Sequence, residues 1–291
     1  MLSIISSPIG NLKDISYRSI EALKCASIVY CEDTRVTKKL LNHYSIKNKQ
    51  LLPYNDHNET EVLKEIIEKL EHDENIILIS DAGTPLISDP GFPLIRECIK
   101  KGLDFVVLPG STAIIPSLIY SGFPIDKFSF YGFIPRSRNK QQELAKTIIT
   151  SNTPLVCFEN VKRLQKTLIN MNEVFDKNTQ VVICREITKK FEKIYRGDVS
   201  SIIDQIESNT LKIKGEIVIV FYTKNANAIK DNEKLINEIG ENFLKYLSKR
   251  DASKLISELY DIDRSETYKF LVDILSLIHI CAADEDLRVD L

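Results

Sequence analysis

The chain contains the stretch Asn75-Ile-Ile-Leu-Ile-Ser-Asp-Ala-Gly-Thr-Pro-Leu-Ile-Ser-Asp-Pro-Gly91. Its first part is an apolar run that is typical of a parallel strand buried on both faces. The run stops at Asp81 and gives way to glycine, proline and small residues, ahead of a predicted helix at Phe92–Lys101. In open α/β sheets, ligands bind beyond the carboxyl ends of the strands, and glycine lets the backbone come close to a ligand. The stretch therefore predicts a small-molecule site at the end of this strand.

Three further apolar runs end in turn-forming or polar residues, namely Leu2–Ser6, Ser27–Cys31 and Phe105–Leu108. Each is followed by a segment with a helix pattern. Any α/β protein places glycine, serine or aspartate at such turns as helix caps, so one turn alone indicates little. Four turns of this composition favour a shared ligand site, because the carboxyl ends of parallel strands meet at one edge of a sheet.

The composition is that of an ordinary globular protein. The chain has 291 residues, a formal net charge of -2 and 43% hydrophobic residues, which is enough for two domains. The slightly acidic balance argues against a protein that coats nucleic acid non-specifically. No apolar run has transmembrane length and no secretory signal is visible. The six cysteines form no Cys-x-x-Cys pair and the four histidines have no zinc-ligand spacing. We therefore expect a reduced, cytoplasmic protein that binds neither membrane nor metal.

Strand and helix patterns alternate over residues 1–110, which predicts an N-terminal α/β domain with a largely parallel sheet. A second α/β domain is predicted over residues 111–224. Within it, Phe191–Tyr195 combines the charged residues Glu192 and Lys193 with apolar ones, and we interpret it as a half-exposed antiparallel strand.

The C-terminal part begins with a polar linker, Lys224–Asn232, and residues 225–274 are predicted to form a small helical domain. Its amphipathic helices are compatible with a helix-turn-helix and with a small helical bundle. Residues 275–291 continue no upstream pattern, and Leu275–Ile280 resembles a translated sequencing adaptor. We expect these last residues to be a non-native tail.

Six motifs occur in the order in which one known family has them. They are Ser7–Asp14, Glu32–Arg35, Ser80–Gly91, Leu108–Thr112, Arg185–Lys189 and Lys214–Glu216. Over residues 1–274 the chain resembles the bacterial 16S rRNA cytidine 2′-O-ribose methyltransferases of the tetrapyrrole-methylase superfamily. The resemblance implies two α/β domains with S-adenosyl-L-methionine (SAM) in the cleft between them, and a homodimer. It implies, as substrate, a cytidine in the decoding region of 16S rRNA within the small ribosomal subunit.

The resemblance also assigns residues to the cofactor site, all but Phe158 at positions within these six motifs. An aspartate there can bind ribose hydroxyl groups, small residues allow close backbone approach, and the residues after the first strand would face the reacting end. The assigned residues are Pro8, Ile9, Asp81, Ala82, Gly83, Thr84, Ser111, Thr112, Phe158, Ile187, Gly215 and Glu216. Without the resemblance, Phe158 and Ile187 would be interpreted as ordinary core residues.

Methyl transfer to an oxygen is an in-line displacement that needs alignment and the removal of a proton. The candidates are Glu32, Asp33 and Arg35 after the second strand, and Asp56 and His57 after the third. An arginine beside Asp33 makes this carboxylate a poor base, so Arg35 is expected to hold a phosphate or to fix Asp33. His57 has the best intrinsic pKa for a base, but a lone loop histidine is more often a surface residue. The identity of the base stays open at this point.

Binding to RNA requires positive charge. Two basic stretches supply it, and the RNA-binding candidates within them are Arg136, Arg138, Lys140, Lys189 and Lys190. Two other functions remain open. One is SAM-dependent methylation of a tetrapyrrole, another small molecule or a protein, and the other is a SAM-binding regulator without catalysis. The polar loops at Glu32–Arg35 and Asp56–Asn58 favour a ribose-phosphate substrate over a porphyrin-like one.

Overall fold

A computed structural model of the chain describes residues 1–175, 178–211, 214–223, 235–240, 242–260 and 262–274. The chain forms two compact units that divide between Lys224 and Asn225. The predicted tail at residues 275–291 and the predicted linker lie outside the described residues.

The first sheet is five-stranded and entirely parallel, with the strand order β3-β2-β4-β1-β5. Its strands are β1 (Leu2–Ile5), β2 (Ile28–Cys31), β3 (Gln50–Pro53), β4 (Ile76–Ile79) and β5 (Phe105–Leu108). The helices between them are α1 (Tyr17–Cys25), α2 (Thr34–His43), α3 (Glu59–Glu71) and α4 (Phe92–Lys101).

Both faces of this sheet are covered. Successive residues of a strand point to opposite faces, and Leu78 packs into one buried cluster while Ile77 and Ile79 pack into another. The strands β1, β2 and β4 are fully buried, whereas β3 at the edge is partly exposed. This burial explains the uninterrupted apolar runs from which the parallel sheet was predicted.

The second sheet is also five-stranded, with the order β6-β7-β10-β8-β9. Its strands are β6 (Ser129–Phe133), β7 (Leu155–Glu159), β8 (Thr179–Arg185), β9 (Lys193–Asp198) and β10 (Ile217–Thr223). The strands β6 and β7 pair in parallel, and the remaining pairs are antiparallel. The helices are α5 (Ile114–Ser121), α6 (Arg138–Ser151), α7 (Leu164–Asn172) and α8 (Val199–Glu207). The two α/β sheets confirm the predicted fold class.

Two element boundaries differ from the prediction. The residue pattern predicts a helix over Val161–Asn170. The helix α7 instead begins at Leu164, because the Asn160 side chain accepts a hydrogen bond from the Lys162 amide at 2.9 Å and holds the preceding turn. The strand β9 begins at Lys193 instead of Phe191. The carboxylate of Glu192 is held by the Thr188 amide at 2.6 Å and keeps this residue in the preceding loop.

The C-terminal unit contains α9 (Lys249–Tyr260) and further helical residues at 235–240, 242–244 and 264–274. These segments share one small apolar core, made by Ile236, Ala252, Ile256, Ile262, Leu271 and Ile274. None of the helices within the described ranges is long and apolar enough to span a membrane.

Candidate functional site

A cleft of ≈ 360 Å³ is lined by residues of both sheets. The loops after β1 and β4 and the start of α5 form one wall. The last residues of β7 and β8 and the first residues of β10 form the other. The lining comprises Ile9, Ala82–Thr84, Ile87–Asp89, Thr112, Ala113, Phe133, Phe158–Val161, Cys184, Ile187 and Gly215–Val218. The cleft therefore lies at the carboxyl edge of the parallel sheet, where the sequence placed a ligand site.

Most of the residues assigned to the cofactor line this cleft. They are Ile9, Ala82, Gly83, Thr84, Thr112, Phe158, Ile187, Gly215 and Glu216. Their role in cofactor binding stays a prediction. Phe158 is half-buried and packs edge-on against Phe130 and Phe133, with ring centroids 5.1 and 5.5 Å away. Ile187 is only 6% exposed and also belongs to the core of the second sheet.

Three of the assigned residues do not line the cleft. Pro8 and Asp81 line a second cavity of ≈ 260 Å³, together with Gly10 and Lys39. The hydroxyl group of Ser111 donates a hydrogen bond to the carbonyl oxygen of Asp14 at 3.0 Å. The chain neighbours of Pro8 and Asp81, Ile9 and Ala82, line the cleft itself, and the assignment of Pro8 and Asp81 to the cofactor stays a prediction.

A short antiparallel bridge between Ser7 and Gly83 holds the first wall of the cleft. The Ser7 amide donates to the Gly83 carbonyl at 2.8 Å, and the Gly83 amide donates to the Ser7 carbonyl at 3.0 Å. Gly83 has φ +83°, in the region that favours glycine. Thr84 Oγ1 contacts Ser6 Oγ at 2.9 Å and donates to the Ser111 carbonyl at 3.3 Å. The loops after β1, β4 and β5 are therefore tied into one rigid wall.

On the other wall, Glu186 and Glu216 bind each other through the backbone and share Lys189. The Glu216 amide donates to Glu186 Oε1 at 2.7 Å, and Lys189 Nζ lies 3.0 Å from Glu186 Oε1 and 2.8 Å from Glu216 Oε2. Burial alone would raise the pKa of Glu186, but the Glu216 amide and the Lys189 ammonium outweigh burial and lower this pKa. The Lys189 side chain also covers Gly10, where a Cβ would overlap it.

The catalytic candidates lie after the carboxyl ends of β2 and β3, in different surroundings. The Arg35 side chain donates three hydrogen bonds to the Asp33 carboxylate, from Nε to both oxygens at 3.0 and 3.2 Å and from Nη2 to Oδ2 at 2.6 Å. Together with the bond from the Arg35 amide, they lower the pKa of Asp33 to about 2. Arg35 thus fixes Asp33, one of the two roles expected for it. Asp56 and His57 are exposed and line neither cavity.

The remaining carboxyl groups at this edge raise one another's pKa. Burial, together with the charges of Asp81, Asp56 and Asp33, raises the pKa of Glu32. Burial and the charge of Asp33 raise the pKa of Asp81, which accepts a hydrogen bond from the Asp33 amide at 3.0 Å. Among the described residues, no group of three His, Cys, Asp or Glu side chains could hold a metal ion.

Comparisons with known proteins agree with this geometry. Residues 1–203 match the family model of the tetrapyrrole (corrin/porphyrin) methylases. The chain is 43% identical to the ribosomal RNA small subunit methyltransferase I of Mycoplasmopsis pulmonis over 77% of this chain and 98% of that protein. It is 35% identical to the enzyme of the same name in Haemophilus influenzae over 93% of this chain and 95% of that protein.

The chain belongs to the ribosomal RNA small subunit methyltransferase I family. Among solved structures it is similar to a cobalamin biosynthetic enzyme, cobalt precorrin-4 methyltransferase, with a TM-score of 0.57 and 18% identity over 76% of this chain and 94% of that one. This likeness shows the shared fold of the tetrapyrrole methylases.

The candidate RNA-binding residues differ in whether they form ion pairs with carboxylates. Arg136, Lys140 and Lys190 are exposed. Arg138 is paired with Glu173 at 2.5 Å, and Lys189 is held by its two carboxylates. The sequence did not reveal the pairs with Glu173 and Glu216, because these partners are distant along the chain, whereas Glu186 lies only three residues before Lys189.

Sequence reasoning did not single out Asp89 as a site residue, although Asp89 lies in the quoted motif. Asp89 lines the cleft, and its pKa is raised to about 6 by burial and by the charges of Glu32, Asp81 and Asp56. The available signal was the position of Asp89 in the same glycine-rich loop as Gly83.

Proposed function

We propose that the chain transfers the methyl group of SAM to the 2′-hydroxyl of a cytidine ribose in 16S rRNA of the small ribosomal subunit. Family membership supports SAM-dependent methylation of rRNA. The observation that carries the proposal is a cleft whose lining includes nine of the twelve residues that the family resemblance assigns to SAM.

The residues of the cleft fit SAM. Its volume of ≈ 360 Å³ falls within the roughly 300–1,000 Å³ of small-molecule sites. Phe158 and Ile187 offer an apolar wall for the adenine ring, and the glycines at 83 and 215 leave space for close backbone contact. When bound, SAM would supply an activated methyl group on a positively charged sulfur. The task of the protein's own residues is then to orient the ribose and to remove its proton.

The exposed cations suggest how RNA would bind. Arg136, Lys140 and Lys190 are exposed and can contact phosphate groups. Arg138 and Lys189 would first have to leave their ion pairs with carboxylates. Phosphate contacts would position the RNA, and the cleft would select the ribose.

The proposal includes a cytoplasmic homodimer, as the resemblance implies. Sedimentation at micromolar concentration tests this part, and a monomer under those conditions would contradict it. The two alternative functions differ in their substrates: a tetrapyrrole, small-molecule or protein methylase would leave rRNA unmodified, and a regulator would bind SAM without turnover.

The test is a methyl-transfer assay with radiolabelled SAM and isolated small subunits that lack the modification, followed by mapping of 2′-O-methylation. We expect label on one cytidine of 16S rRNA. Free tetrapyrrole and fully modified subunits serve as matched acceptors that should stay unlabelled. Label in a base, in a protein or in the tetrapyrrole would contradict the proposal, as would binding of SAM without any transfer.

A further inference from the structure

Asp89 lies in a loop whose backbone is held in an unfavourable conformation. Leu86 and Ser88 have φ +71° and +65°, a region that side-chain-bearing residues seldom adopt. The loop is fixed at both ends, since the Ile87 amide donates to the Thr84 carbonyl at 3.3 Å and the Gly91 amide donates to Glu59 at 3.3 Å. Strain of this kind persists where the surrounding structure enforces it, and it concentrates at functional sites. Here it puts Asp89 into the wall of the cleft.

Three carboxyl groups line the cleft, and two of them are held by cations. Glu159 is buried and accepts hydrogen bonds from Arg163 at 3.1 Å and Thr167 at 2.8 Å. Glu216 is paired with Lys189. Within the described part of the chain, Asp89 is the lining carboxyl group that has no ion pair.

The surroundings of Asp89 increase the proton affinity of its carboxylate. Burial raises its pKa to about 6, and the charges of Glu32, Asp81 and Asp56 act in the same direction. A hydrogen bond from Ser80 opposes this rise, but the Ser80 hydroxyl also donates to the Gly83 carbonyl at 3.2 Å and has one proton for both. By contrast, the thiol of Cys184 on the opposite wall has its pKa raised to about 12 by burial and is unsuited to accept a proton.

We propose that Asp89 is the catalytic residue that accepts the proton of the ribose 2′-hydroxyl during methyl transfer. This inference rests on the proposed function. The hydroxyl oxygen gains the methyl carbon while the carbon–sulfur bond breaks and leaves its electron pair on sulfur. The hydroxyl proton moves to a carboxylate oxygen of Asp89 and passes from there to water.

The first readout is the rate of methyl transfer to small subunits as a function of pH. The wild-type rate should rise from about pH 5 and level off above the pKa of Asp89, because only the carboxylate form accepts a proton. Asp89→Asn should lower kcat by about 10²–10⁴-fold and remove this dependence. Asp89→Glu should retain part of the rate. Asp126→Asn, an exposed carboxyl group that does not line the cleft, should behave as wild type.

The second readout uses the free protein and no activity. Carboxyl ¹³C NMR of the aspartates should show a group that titrates near the pKa of Asp89 and is missing from Asp89→Asn. The raised folded-state pKa means that the Asp89 charge destabilises the fold, beginning above the unfolded pKa near 4 and fully above about pH 6. Asp89→Asn should therefore melt about 2–6 °C higher than wild type at neutral pH, and this gain should vanish near pH 4.

The outcomes separate the two proposals. A wild-type protein without transfer to rRNA would reject the proposed function and this inference with it. An active wild type whose kcat falls less than about threefold in Asp89→Asn would overturn the inference alone. A loss of SAM affinity of about tenfold or more by calorimetry, with kcat retained, would make Asp89 a cofactor ligand and would also overturn it.

Discussion

Replacing Gly215 by alanine should damage the cleft through a defined contact. Gly215 has φ +89°, and a Cβ there would overlap the Glu186 carboxyl group, with Glu186 Cγ at 2.7 Å. Glu186 cannot move aside without losing its hydrogen bond from the Glu216 amide and its ion pair with Lys189. The substitution therefore strains the backbone and breaks the network that shapes the far wall.

The two parts of the effect have different sizes. The positive φ costs about 1–2 kcal/mol for a residue with a Cβ. Losing a hydrogen bond to a charged group costs about 1.5–3 kcal/mol. The sum of about 2.5–5 kcal/mol corresponds to a melting temperature lower by about 5–20 °C in a unit of this size.

Gly102→Ala is the matched control. Gly102 has φ +66° at the end of α4, but nothing lies within 4 Å of its added Cβ. Gly102→Ala therefore measures the cost of a positive φ alone, without an overlap of side chains. Calorimetric melting of both variants gives the difference, and SAM titration should show reduced affinity in Gly215→Ala alone. In a double-mutant cycle, Glu186→Ala should destabilise the Gly215→Ala protein less than wild type. Equal melting temperatures for the two glycine variants, or additive effects in the cycle, would refute the reasoning.

Three further changes have distinct expected outcomes. Gly83→Val places a branched side chain at φ +83° in the cleft wall and should abolish SAM binding in calorimetry; unchanged affinity would argue against SAM in this cleft. Alanine at Arg136, Arg138 and Lys140 together should weaken binding to small subunits and flatten its salt dependence while SAM affinity is kept, and an unchanged salt slope would exclude this loop from the RNA contact. Ending the chain after Ile274 should leave melting and methyl transfer as in the full chain, and a large loss of either would show that residues 275–291 are needed.

Much of the fold could be predicted from the sequence, since parallel strands buried on both faces have uninterrupted apolar runs. The mixture of charged and apolar residues at 191–195 likewise indicated an antiparallel strand, which the structure confirms as β9 at the edge of the second sheet. The errors lie at element ends. There, side chains such as Asn160 and Glu192 hold the backbone in turns, and the apolar periodicity carries no information about such contacts.

The site was less predictable than the fold. The glycine-rich motif gave the position of the cleft, because glycines and strand ends are visible in the sequence. It did not reveal that Asp81 lines the second cavity while Asp89 lines the first, because the residue pattern does not encode the backbone conformation of this loop, which includes positive φ angles at Leu86 and Ser88. It also could not show that Lys189 is neutralised, because Glu216 is far from Lys189 along the chain.

Although the net charge of the chain is close to zero, acidic and basic side chains lie in different places, and this distribution affects how RNA would bind. Glu32, Asp81 and Asp89 lie at the carboxyl edge of the first sheet, where burial and, to a lesser degree, the charges of neighbouring carboxylates raise their pKa values. A phosphate group brought to this edge would be repelled, whereas a neutral ribose hydroxyl would not. We therefore expect the phosphates to lie toward exposed cations such as Arg136 and the ribose toward the acidic edge. The salt dependence of RNA binding should then come from the cations, and the pH dependence of methyl transfer should come from the carboxyl groups. Mutation of one set of residues should therefore change one dependence and leave the other unchanged.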